Sequence, residues 1–338
     1  MREARRCAEL ADAAGAVRVS VWDSPAVAPD CWLTLGHIAA AIRGAAIGVS
    51  VTNPLTRHPV VTANAAASLA SLIPGRAFLG IGTGDSGVIN LGARPARLSE
   101  LREYVLCLRS LLREGTGRWR GATVRLRSKP EAPVPIYLAA HGVNSLRLAA
   151  ELADGVILGL GHSEDVVDGV REVIATTRDR TGGADTGFDL WWNCGAVRIS
   201  EDADAAVRET GWLTASFAHH LARGDMASKF VPPDLHDGIR RLAANYDLGL
   251  HGRQPDAMRA RYVELAQEFG VWEYLLDRFI IAGSRSGVRD QLRLLADRGV
   301  TNLETGVSVG GVEAAADLIS TADETNWNRE DRFAADRR

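Results

Sequence analysis

The feature that most constrains the fold is a regular alternation of short apolar runs with segments of helical spacing. The short runs contain almost no polar residues, which is typical of strands buried on both faces of a sheet. Strands that alternate with helices in this way indicate a parallel sheet covered by helices. Seven such strands are predicted, at residues 16–21, 45–52, 76–81, 135–140, 155–158, 189–200 and 300–304.

This alternation predicts a (β/α)8 TIM barrel of the α/β class. A barrel can absorb most of a 338-residue chain as one domain, and we assign residues 1–320 to it. A barrel has eight strands, and the chain opens inside what would be the first crossover helix. We therefore expect the first strand to be missing from the sequence, because a start codon was placed too late or because the barrel is incomplete.

Residues 211–280 interrupt the alternation and are mostly of helical character. Long excursions at a barrel mouth usually form lids or specificity elements. We therefore predict a helical insertion before the last strand that acts as lid and substrate region. A charged, frayed tail is predicted at residues 321–338.

Charge and cysteine pattern exclude several classes of protein. The formal net charge is −3 and the basic residues are scattered, so neither nucleic acid nor a membrane is an expected partner. No apolar run reaches the ~18 residues of a membrane span, and the charged start does not resemble a signal peptide. The cysteines lack Cys-x-x-Cys spacing, which favours free thiols in a reducing cytoplasm.

Four histidines fall in the insertion, but no His-x-x-x-His pair is present and carboxylates are not at ligand spacing. We expect no metal there and predict substrate contact or a surface helix instead. These histidines are His219, His220, His236 and His251.

The segment GIGTGDSG at residues 80–87 fits the Gly-x-Gly-x-x-Gly pattern of dinucleotide-binding turns. That pattern belongs to the first strand–helix unit of its fold, with the helix starting at the last glycine. Here it follows the third visible strand, and a loop separates it from the next long helix. We favour a barrel strand end at which glycine lets a flat ring approach the backbone, since no Cβ blocks the approach.

Barrel active sites lie at the C-terminal ends of the strands, so the residues that follow each strand are the candidates. Asp23 is either an active-site acid or a turn cap, and Asp85 either contacts a ligand or binds loop amides. His141 either contacts a bound ring or is a spacer, whereas His58 is predicted to be structural. The strand-end residues are Asp23, Ser24, Thr52, Asn53, Thr83, Gly84, Asp85, His141, Gly142, Gly159, Leu160, Gly161 and Asn193.

The strand at residues 189–200 carries adjacent tryptophans and two polar residues. Trp191 and Trp192 are expected on opposite faces, because side chains alternate along a strand. Asn193 and Arg198 are expected to have partners, because a buried polar group without one is costly.

Three segments together carry a resemblance to a known family: TNPLTRHP at residues 52–59, GIGTGD at 80–85 and AELADGVIL at 150–158. The chain resembles the bacterial luciferase-like superfamily of flavin monooxygenases and coenzyme F420-dependent oxidoreductases. It looks most like the branch that includes methylenetetrahydromethanopterin reductase. The resemblance covers most of residues 5–305, and residues 279–304 are similar to the family's final helix and strand.

The resemblance implies a homodimeric (β/α)8 barrel with FMN or F420 at the C-terminal mouth. It implies a non-proline cis peptide between Ser50 and Val51 behind the flavin ring. Backbone N–H groups at a helix start after residue 141 would hold the phosphate, with residues 159–161 as the other half of the pocket. The cofactor-binding residues so implied are Ser50, Val51, Thr52, Asn53, Thr83, Gly84, His141, Gly142, Val143, Asn144, Gly159, Leu160 and Gly161.

The chain departs from true luciferases at the end of their second strand, where they carry a histidine that serves as catalytic base. Asp23 and Ser24 stand at that place here, so luciferase chemistry is not carried over. The candidate catalytic residues are Asp23, Ser24, Asp85 and Asn193.

Four functional hypotheses follow, of which a metal-dependent barrel hydrolase is disfavoured because the strand ends carry glycine, Thr and Asn in place of metal-ligating His and Asp. The first is a two-component monooxygenase, in which a partner flavin reductase supplies reduced FMN that reacts with O2 to oxidise a small organic substrate. The second is an F420-dependent oxidoreductase that moves a hydride without oxygen. No basic cluster is evident in the sequence for the acidic tail of that coenzyme. The third is a non-catalytic flavin-binding protein, which the missing strand and histidine favour.

Overall fold

The structure is a computed structural model that describes residues 1–183, 187–247, 254–306, 311–323 and 325. Its strands are β1 (Arg18–Val21), β2 (Ala46–Thr52), β3 (Ala77–Ile81), β4 (Thr116–Trp119), β5 (Ala122–Arg125), β6 (Ile136–Ala140), β7 (Gly155–Leu158), β8 (Asp189–Cys194), β9 (Ala196–Ile199), β10 (Ile280–Gly283) and β11 (Asn302–Thr305). Its helices are α1 (Arg2–Ala13), α2 (Cys31–Ala39), α3 (Pro59–Leu72), α4 (Ser86–Ile89), α5 (Leu98–Glu114), α6 (Val143–Leu152), α7 (Glu164–Thr181), α8 (Ala203–Gly211), α9 (Thr214–Ala222), α10 (His236–Ala244), α11 (Asp256–Glu268), α12 (Trp272–Phe279), α13 (Arg285–Asp297) and α14 (Gly311–Asp323).

The chain forms two compact units, each of which is built from separate stretches of sequence. The first unit comprises Met1–Ala140, Ser145–Ile157 and Thr177–Asp189. The second unit comprises His141–Asn144, Leu158–Thr176 and the described part of Leu190–Arg338.

The first unit contains four neighbouring parallel strands in the order β1-β2-β3-β6. Arg18 lies opposite Ala46, Ile47 opposite Ala77, and the register shifts between Val49 and Thr52. Every residue of β3 is buried, which agrees with its unbroken apolar sequence. Parallel strands bring their C-terminal ends to one edge, so β1, β2 and β3 all end where candidate site residues begin.

Helices α2, α3 and α5 cover this sheet with their apolar faces. Leu35, Ile38, Leu101 and Leu108 are each no more than 1% exposed, which places them in the core. The helix α5 begins at Leu98, where the residue pattern alone would favour Ser99 as its N-cap. The difference arises because the Glu100 carboxylate accepts a hydrogen bond from the backbone N–H of Arg97 at 2.9 Å and so caps the helix earlier.

The second unit contains two separate parallel pairings. Strand β8 pairs with β11, and β9 pairs with β10. The single strand predicted at residues 189–200 is therefore interrupted at Gly195, whose N–H donates to the Phe279 carbonyl at 2.8 Å. A Cβ at Gly195 would lie 1.8 Å from the Phe217 ring, so a larger residue there would have to displace that ring. The alternation did not predict β10, which follows the insertion directly.

Helices α9 to α12 supply most of the described residues of the predicted insertion, as its helical character indicated. Their apolar faces form a core with Trp212, Leu221, Tyr262 and Leu275, all nearly inaccessible to solvent. His251 lies outside the described residues. No helix in the described part of the chain combines the length and hydropathy needed to span a membrane.

Candidate functional site

The strand-end residues fall into one set in each compact unit. The first unit holds Asp23, Ser24, Ser50, Val51, Thr52, Asn53, Thr83, Gly84 and Asp85. The second unit holds His141, Gly142, Val143, Asn144, Gly159, Leu160, Gly161 and Asn193.

The peptide bond between Ser50 and Val51 is cis, as the resemblance implied. The Val51 side chain lies beside two glycines of β3 and the turn after it. A Cβ at Gly80 or at Gly82 would each lie 3.1 Å from a Val51 methyl group. These glycines therefore make room for Val51, in addition to any ligand that approaches the backbone.

Asp23 is a buried, ion-paired carboxylate at the end of β1, with 5% exposure. Its Oδ2 accepts hydrogen bonds from the Thr52 hydroxyl at 2.7 Å and from Arg57 Nε at 3.3 Å. Arg57 also donates to Asp30 at 2.7 Å. Burial disfavours the Arg57 charge, but the two carboxylates outweigh it and raise its pKa. This pairing joins the residue after β1 to the end of β2 and to the loop that follows it.

Asn53 and His58 organise the loop that follows β2. The Asn53 side-chain oxygen accepts from the N–H groups of Leu55 and Thr56, both at 3.0 Å, which is an Asx turn. His58 Nδ1 accepts from the Val60 N–H at 3.2 Å and caps α3. The structural reading of His58 is therefore confirmed.

The glycine run after β3 packs a single helical turn, α4, against the loop that follows β1. Gly84 has φ +92, and a Cβ there would lie 2.3 Å from a Val88 methyl group. A Cβ at Gly87 would lie 2.5 Å from the Asp23 carbonyl oxygen. The hydroxyl groups of Ser24 and Ser86 form a hydrogen bond, with 2.9 Å between their oxygen atoms. A dinucleotide fold needs a long helix at this point, and the structure has only four residues of helix.

Asp85 stands directly before α4 and is half-buried. Its backbone carbonyl accepts from the N–H groups of Val88 and Ile89 at 2.9 and 2.8 Å. Thr83 is fixed in the same loop, since its carbonyl accepts from the Ala96 N–H at 2.8 Å. Asp85 is therefore the candidate acid–base residue held on a braced loop and left partly open to solvent.

In the second unit, the His141 ring occupies the space beside Gly159. A Cβ at Gly159 would lie 2.1 Å from the ring carbon Cε1 of His141. The His220 ring, from α9, stacks against His141 with a centroid distance of 6.2 Å. His141 thus contacts both the turn after β7 and a helix of the insertion, which is more than the spacer reading requires.

Arg278 fixes the Leu160–His162 turn in the second unit, and sequence reasoning missed it. Its guanidinium is fully buried and donates to the carbonyls of Leu160 at 2.7 Å, Lys229 at 2.6 Å and Phe230 at 3.2 Å. Its own carbonyl accepts from the His162 N–H at 2.8 Å. The only sequence signal was an arginine in front of the apolar run FIIAG.

Gly161 is the point of closest approach to Arg278. Its φ is +85, and a Cβ would lie 2.3 Å from the Arg278 carbonyl oxygen. Gly142 lies against Ser228, since a Cβ at Gly142 would be 3.3 Å from the Ser228 hydroxyl oxygen. Val143 opens α6 as expected, with Asn144 exposed in its first turn.

The structure gives a hydrogen-bond partner for one of the two polar residues singled out on β8 and β9 and a strand neighbour for the other. Arg198 Nε donates to Glu209 at 2.7 Å, which supplies the partner predicted for it. Asn193 is half-buried and lies opposite Glu304 in the pairing with β11. Trp192 is completely buried and Trp191 is 8% exposed, and both belong to the core.

His162 is a buried imidazole whose two ring nitrogens find no hydrogen-bond partner in the described part of the chain. Burial, and then the charges of Arg298 and Arg278, lower its pKa to about 4. The ring is therefore neutral at ordinary pH. The described residues contain no group of three or more side chains arranged to hold a metal ion.

Several known proteins are similar to this chain in sequence. The sequence profile described as luciferase-like monooxygenase matches residues 1–302. The chain is 26% identical over 304 residues to the 5,10-methylenetetrahydromethanopterin reductase of Methanolobus tindarius, covering 86% of each chain. It is 33% identical over 196 residues to the F420-dependent glucose-6-phosphate dehydrogenase of Kineococcus radiotolerans, covering 53% of this chain and 56% of the relative.

The coenzyme F420-dependent tetrahydromethanopterin reductase of Methanopyrus kandleri has a similar structure, with a TM-score of 0.71 at 20% identity. The match covers 94% of this chain and 93% of that one. This likeness confirms the predicted α/β fold of the luciferase-like barrel type. Because the profile matches far more than half of its residues, the chain belongs to the luciferase-like monooxygenase family of oxidoreductases.

Proposed function

We propose that the protein is an oxidoreductase that transfers a hydride between coenzyme F420 and a small organic substrate. The observation that carries the proposal is similarity to proteins whose names specify this coenzyme. The chain is similar in sequence to an F420-dependent dehydrogenase and in fold to an F420-dependent reductase. The relatives favour this function over the FMN monooxygenase that the sequence first indicated. We further propose that it acts in the cytoplasm as a homodimer.

The residues present fit a planar, neutral heterocycle. In the first unit, the turn after β3 carries the hydroxyl of Thr83 and the bare backbone of Gly84, which suit a ring edge and a ring face. In the second unit, the start of α6 offers backbone N–H groups to a phosphate. The residues that would hold the coenzyme are Ser50, Val51, Thr52, Asn53, Thr83, Gly84, His141, Gly142, Val143, Asn144, Gly159, Leu160 and Gly161.

Coenzyme F420, when bound, supplies a ring carbon that exchanges a hydride with the substrate. Oxidation of an alcohol also releases a proton from the substrate oxygen, and a base must accept it. Asp85 is the residue we propose for that step, with its carboxylate oxygen taking the proton. Ser24 and Asn193 are proposed to donate hydrogen bonds to the substrate, whereas Asp23 keeps Thr52 and Arg57 in place.

The test is an anaerobic titration of the purified protein with F420 and, separately, with FMN, each in oxidised and reduced form. Binding of F420 with no oxygen consumption when air is admitted supports the proposal. An Asp85→Asn variant should keep F420 binding and lose turnover with any substrate found. Tight binding of reduced FMN, with F420 left unbound, would overturn it.

A second candidate is an FMN-dependent monooxygenase that receives reduced FMN from a separate flavin reductase. The family to which the chain belongs is described by this activity, which is the observation that favours it. Rapid, substrate-dependent oxygen consumption with reduced FMN would establish it. Flavin binding without turnover under either regime would instead favour the non-catalytic flavin-binding protein.

A further inference from the structure

Trp22 carries an exposed indole directly after β1, in the first unit. The residue is 56% exposed, although tryptophan is highly buried on average in folded proteins. It precedes Asp23 and Ser24, which stand at the place of the luciferase histidine. Ligand sites are lined mainly by apolar and aromatic side chains, so an uncovered indole at a strand end of the candidate site is a candidate for ligand contact.

The direction of the Trp22 side chain follows from the alternation of side chains along an extended chain. Asp23 faces the covering helices, because its carboxylate accepts a hydrogen bond from Arg57 and lies beside Cys31, the first residue of α2. Successive side chains point to opposite faces of a sheet. Trp22 therefore lies on the face away from α2, which it shares with Arg18 at the start of β1.

The glycines of β3 and its turn lie on this same face of the sheet. The Arg18 guanidinium reaches across to β3 and lies 5.3 Å from the centre of the Phe78 ring. Gly80 and Gly82 follow Phe78 at intervals of two residues and so share its face. Trp22 is therefore on the face of the sheet where these glycines leave the backbone bare and where the coenzyme ring is proposed to lie.

The segment that carries Trp22 packs against the loop that carries the proposed base, Asp85. The hydroxyl groups of Ser24 and Ser86 form a hydrogen bond across these two segments at 2.9 Å. A Cβ at Gly87 would lie only 2.5 Å from a backbone oxygen of the same segment after β1. The indole therefore belongs to the group of strand-end loops in which the substrate meets the proposed base.

The side chains of these loops favour an uncharged, apolar ligand. Val27, Leu55 and Leu91 are exposed and lie in the loops that follow β1, β2 and β3. Arg57, the cation in the loop after β2, already pairs with two carboxylates and is thereby committed to the protein itself. An aromatic ring suits such surroundings better than a phosphate or a carboxylate does.

We propose that the Trp22 indole stacks against an aromatic ring of the substrate. Contact between two aromatic rings is favourable beyond the burial of their surfaces. This inference rests on the proposed function, because it places the aromatic part of the substrate beside the coenzyme ring and Asp85. The class of substrate is thus an uncharged aromatic alcohol, or the corresponding carbonyl compound, rather than a sugar phosphate.

The experiment titrates the full-length protein with benzyl alcohol, with cyclohexylmethanol as its non-aromatic match, and with glucose 6-phosphate, each in the absence and presence of F420. Indole N–H signals are followed by two-dimensional NMR, and the Trp22 signal is the one that is absent from Trp22→Phe. We expect benzyl alcohol to shift this signal. It should bind about fivefold more tightly than cyclohexylmethanol, because only the aromatic ring can stack.

Two variants separate stacking from apolar burial, with affinities measured by calorimetry. Trp22→Phe keeps a ring and should bind benzyl alcohol within about threefold of wild type, whereas Trp22→Leu should bind about tenfold more weakly. Leu72→Ala is the matched control and should leave binding unchanged. It changes an apolar residue of similar exposure, 61%, at the end of α3 that lies away from the loop after β2.

Equal binding of benzyl alcohol by Trp22→Leu and wild type, or a preference for cyclohexylmethanol or glucose 6-phosphate, would overturn the inference. A change from dimer to monomer in the sedimentation of Trp22→Leu would also overturn it, because a second copy of the chain would then cover the indole. Far-ultraviolet circular dichroism establishes that each variant is folded.

The titrations with and without coenzyme keep this inference apart from the proposed function. Binding of benzyl alcohol at Trp22 by a protein that does not bind F420 would refute the proposed function and leave the ring contact standing. Binding of F420 without binding of benzyl alcohol would refute the ring contact alone.

Discussion

The Thr52 hydroxyl donates to the Asp23 carboxylate at 2.7 Å, and this bond ties the ends of two neighbouring strands together. The same carboxylate oxygen accepts a second hydrogen bond from Arg57 Nε, and Asp23 is almost inaccessible to solvent. The Asp23 carboxylate is thus held in place by two side-chain donors in a buried setting. We therefore predict that Asp23, which stands at the place of the luciferase histidine, acts as a structural group.

The first prediction concerns the stability that this arrangement provides. Asp23→Asn removes the charge that pairs with Arg57, whose side chain is 22% exposed and keeps its bond to Asp30. Breaking a fully buried pair costs about 3–5 kcal/mol, and the remaining partner reduces this, so we expect a loss of about 2 kcal/mol. Urea unfolding monitored by fluorescence measures it.

Thr52→Val is the matched control for Asp23→Asn. It removes one neutral donor and leaves the ion pair, so a smaller loss of about 1 kcal/mol is expected. Equal stability of Asp23→Asn and wild type would show that Asp23 does not brace the strand ends, and its catalytic reading would return.

The second prediction separates Asp85 from Asp23. Asp85 is half-buried on a loop whose backbone is fixed by α4, whereas Asp23 is almost fully buried. If Asp85 is the base, kcat should fall about 10²–10⁴-fold with little change in coenzyme affinity. Steady-state kinetics measures kcat, and a coenzyme titration measures the affinity for the coenzyme. Asp290→Asn, an exposed change on α13, is the control, and an active Asp85→Asn enzyme would refute the role.

The sequence predicted the strand ends well because burial on both faces leaves a clear apolar pattern, as in β2 and β3. It also located the Ser50–Val51 cis peptide, through the resemblance. It could not explain Gly159, because the ring that fills the adjacent space belongs to His141 in a different strand–helix unit. It missed Arg278, whose acceptor Leu160 is 118 residues away along the chain, and no local pattern records such a contact.

The third prediction concerns Arg278 as a positioning residue for the Leu160–His162 turn. Arg278→Met keeps much of the side-chain volume but leaves the carbonyls of Leu160, Lys229 and Phe230 without their donor. Because each unsatisfied buried acceptor costs about 1–3 kcal/mol, the variant should be destabilised by at least 3 kcal/mol. Arg278→Lys should be intermediate, since an ammonium cannot reach all three acceptors.

A coenzyme-binding readout distinguishes positioning from general stability. If the turn contributes to coenzyme binding, Arg278→Lys should raise the Kd for the coenzyme while kcat at saturation changes little. Ala203→Gly, in the first turn of α8, provides a variant destabilised at a distance from the turn. An unchanged Kd in Arg278→Lys would remove the turn from the binding site.

The fourth prediction is a dependence of stability on pH that originates in His162. Its pKa is lowered to about 4 in the folded protein, and an unfolded histidine has a pKa of about 6.5. Between these values the unfolded chain binds a proton that the folded protein does not, so stability falls as the pH falls. Relative to pH 7.5, the loss due to this residue is about 2 kcal/mol at pH 5 and about 3 kcal/mol at pH 4.

Carboxylates also titrate in this range, so the contribution of His162 is the difference between wild type and a variant. His162→Phe replaces the unpartnered imidazole with an apolar ring and removes the titrating group from both folded and unfolded states. Its free energy of unfolding should depend less steeply on pH between 6.5 and 4, by the amounts given above. Parallel slopes for His162→Phe and wild type would mean that the folded protein accommodates a charged His162, and that its two free ring nitrogens find water or an anion.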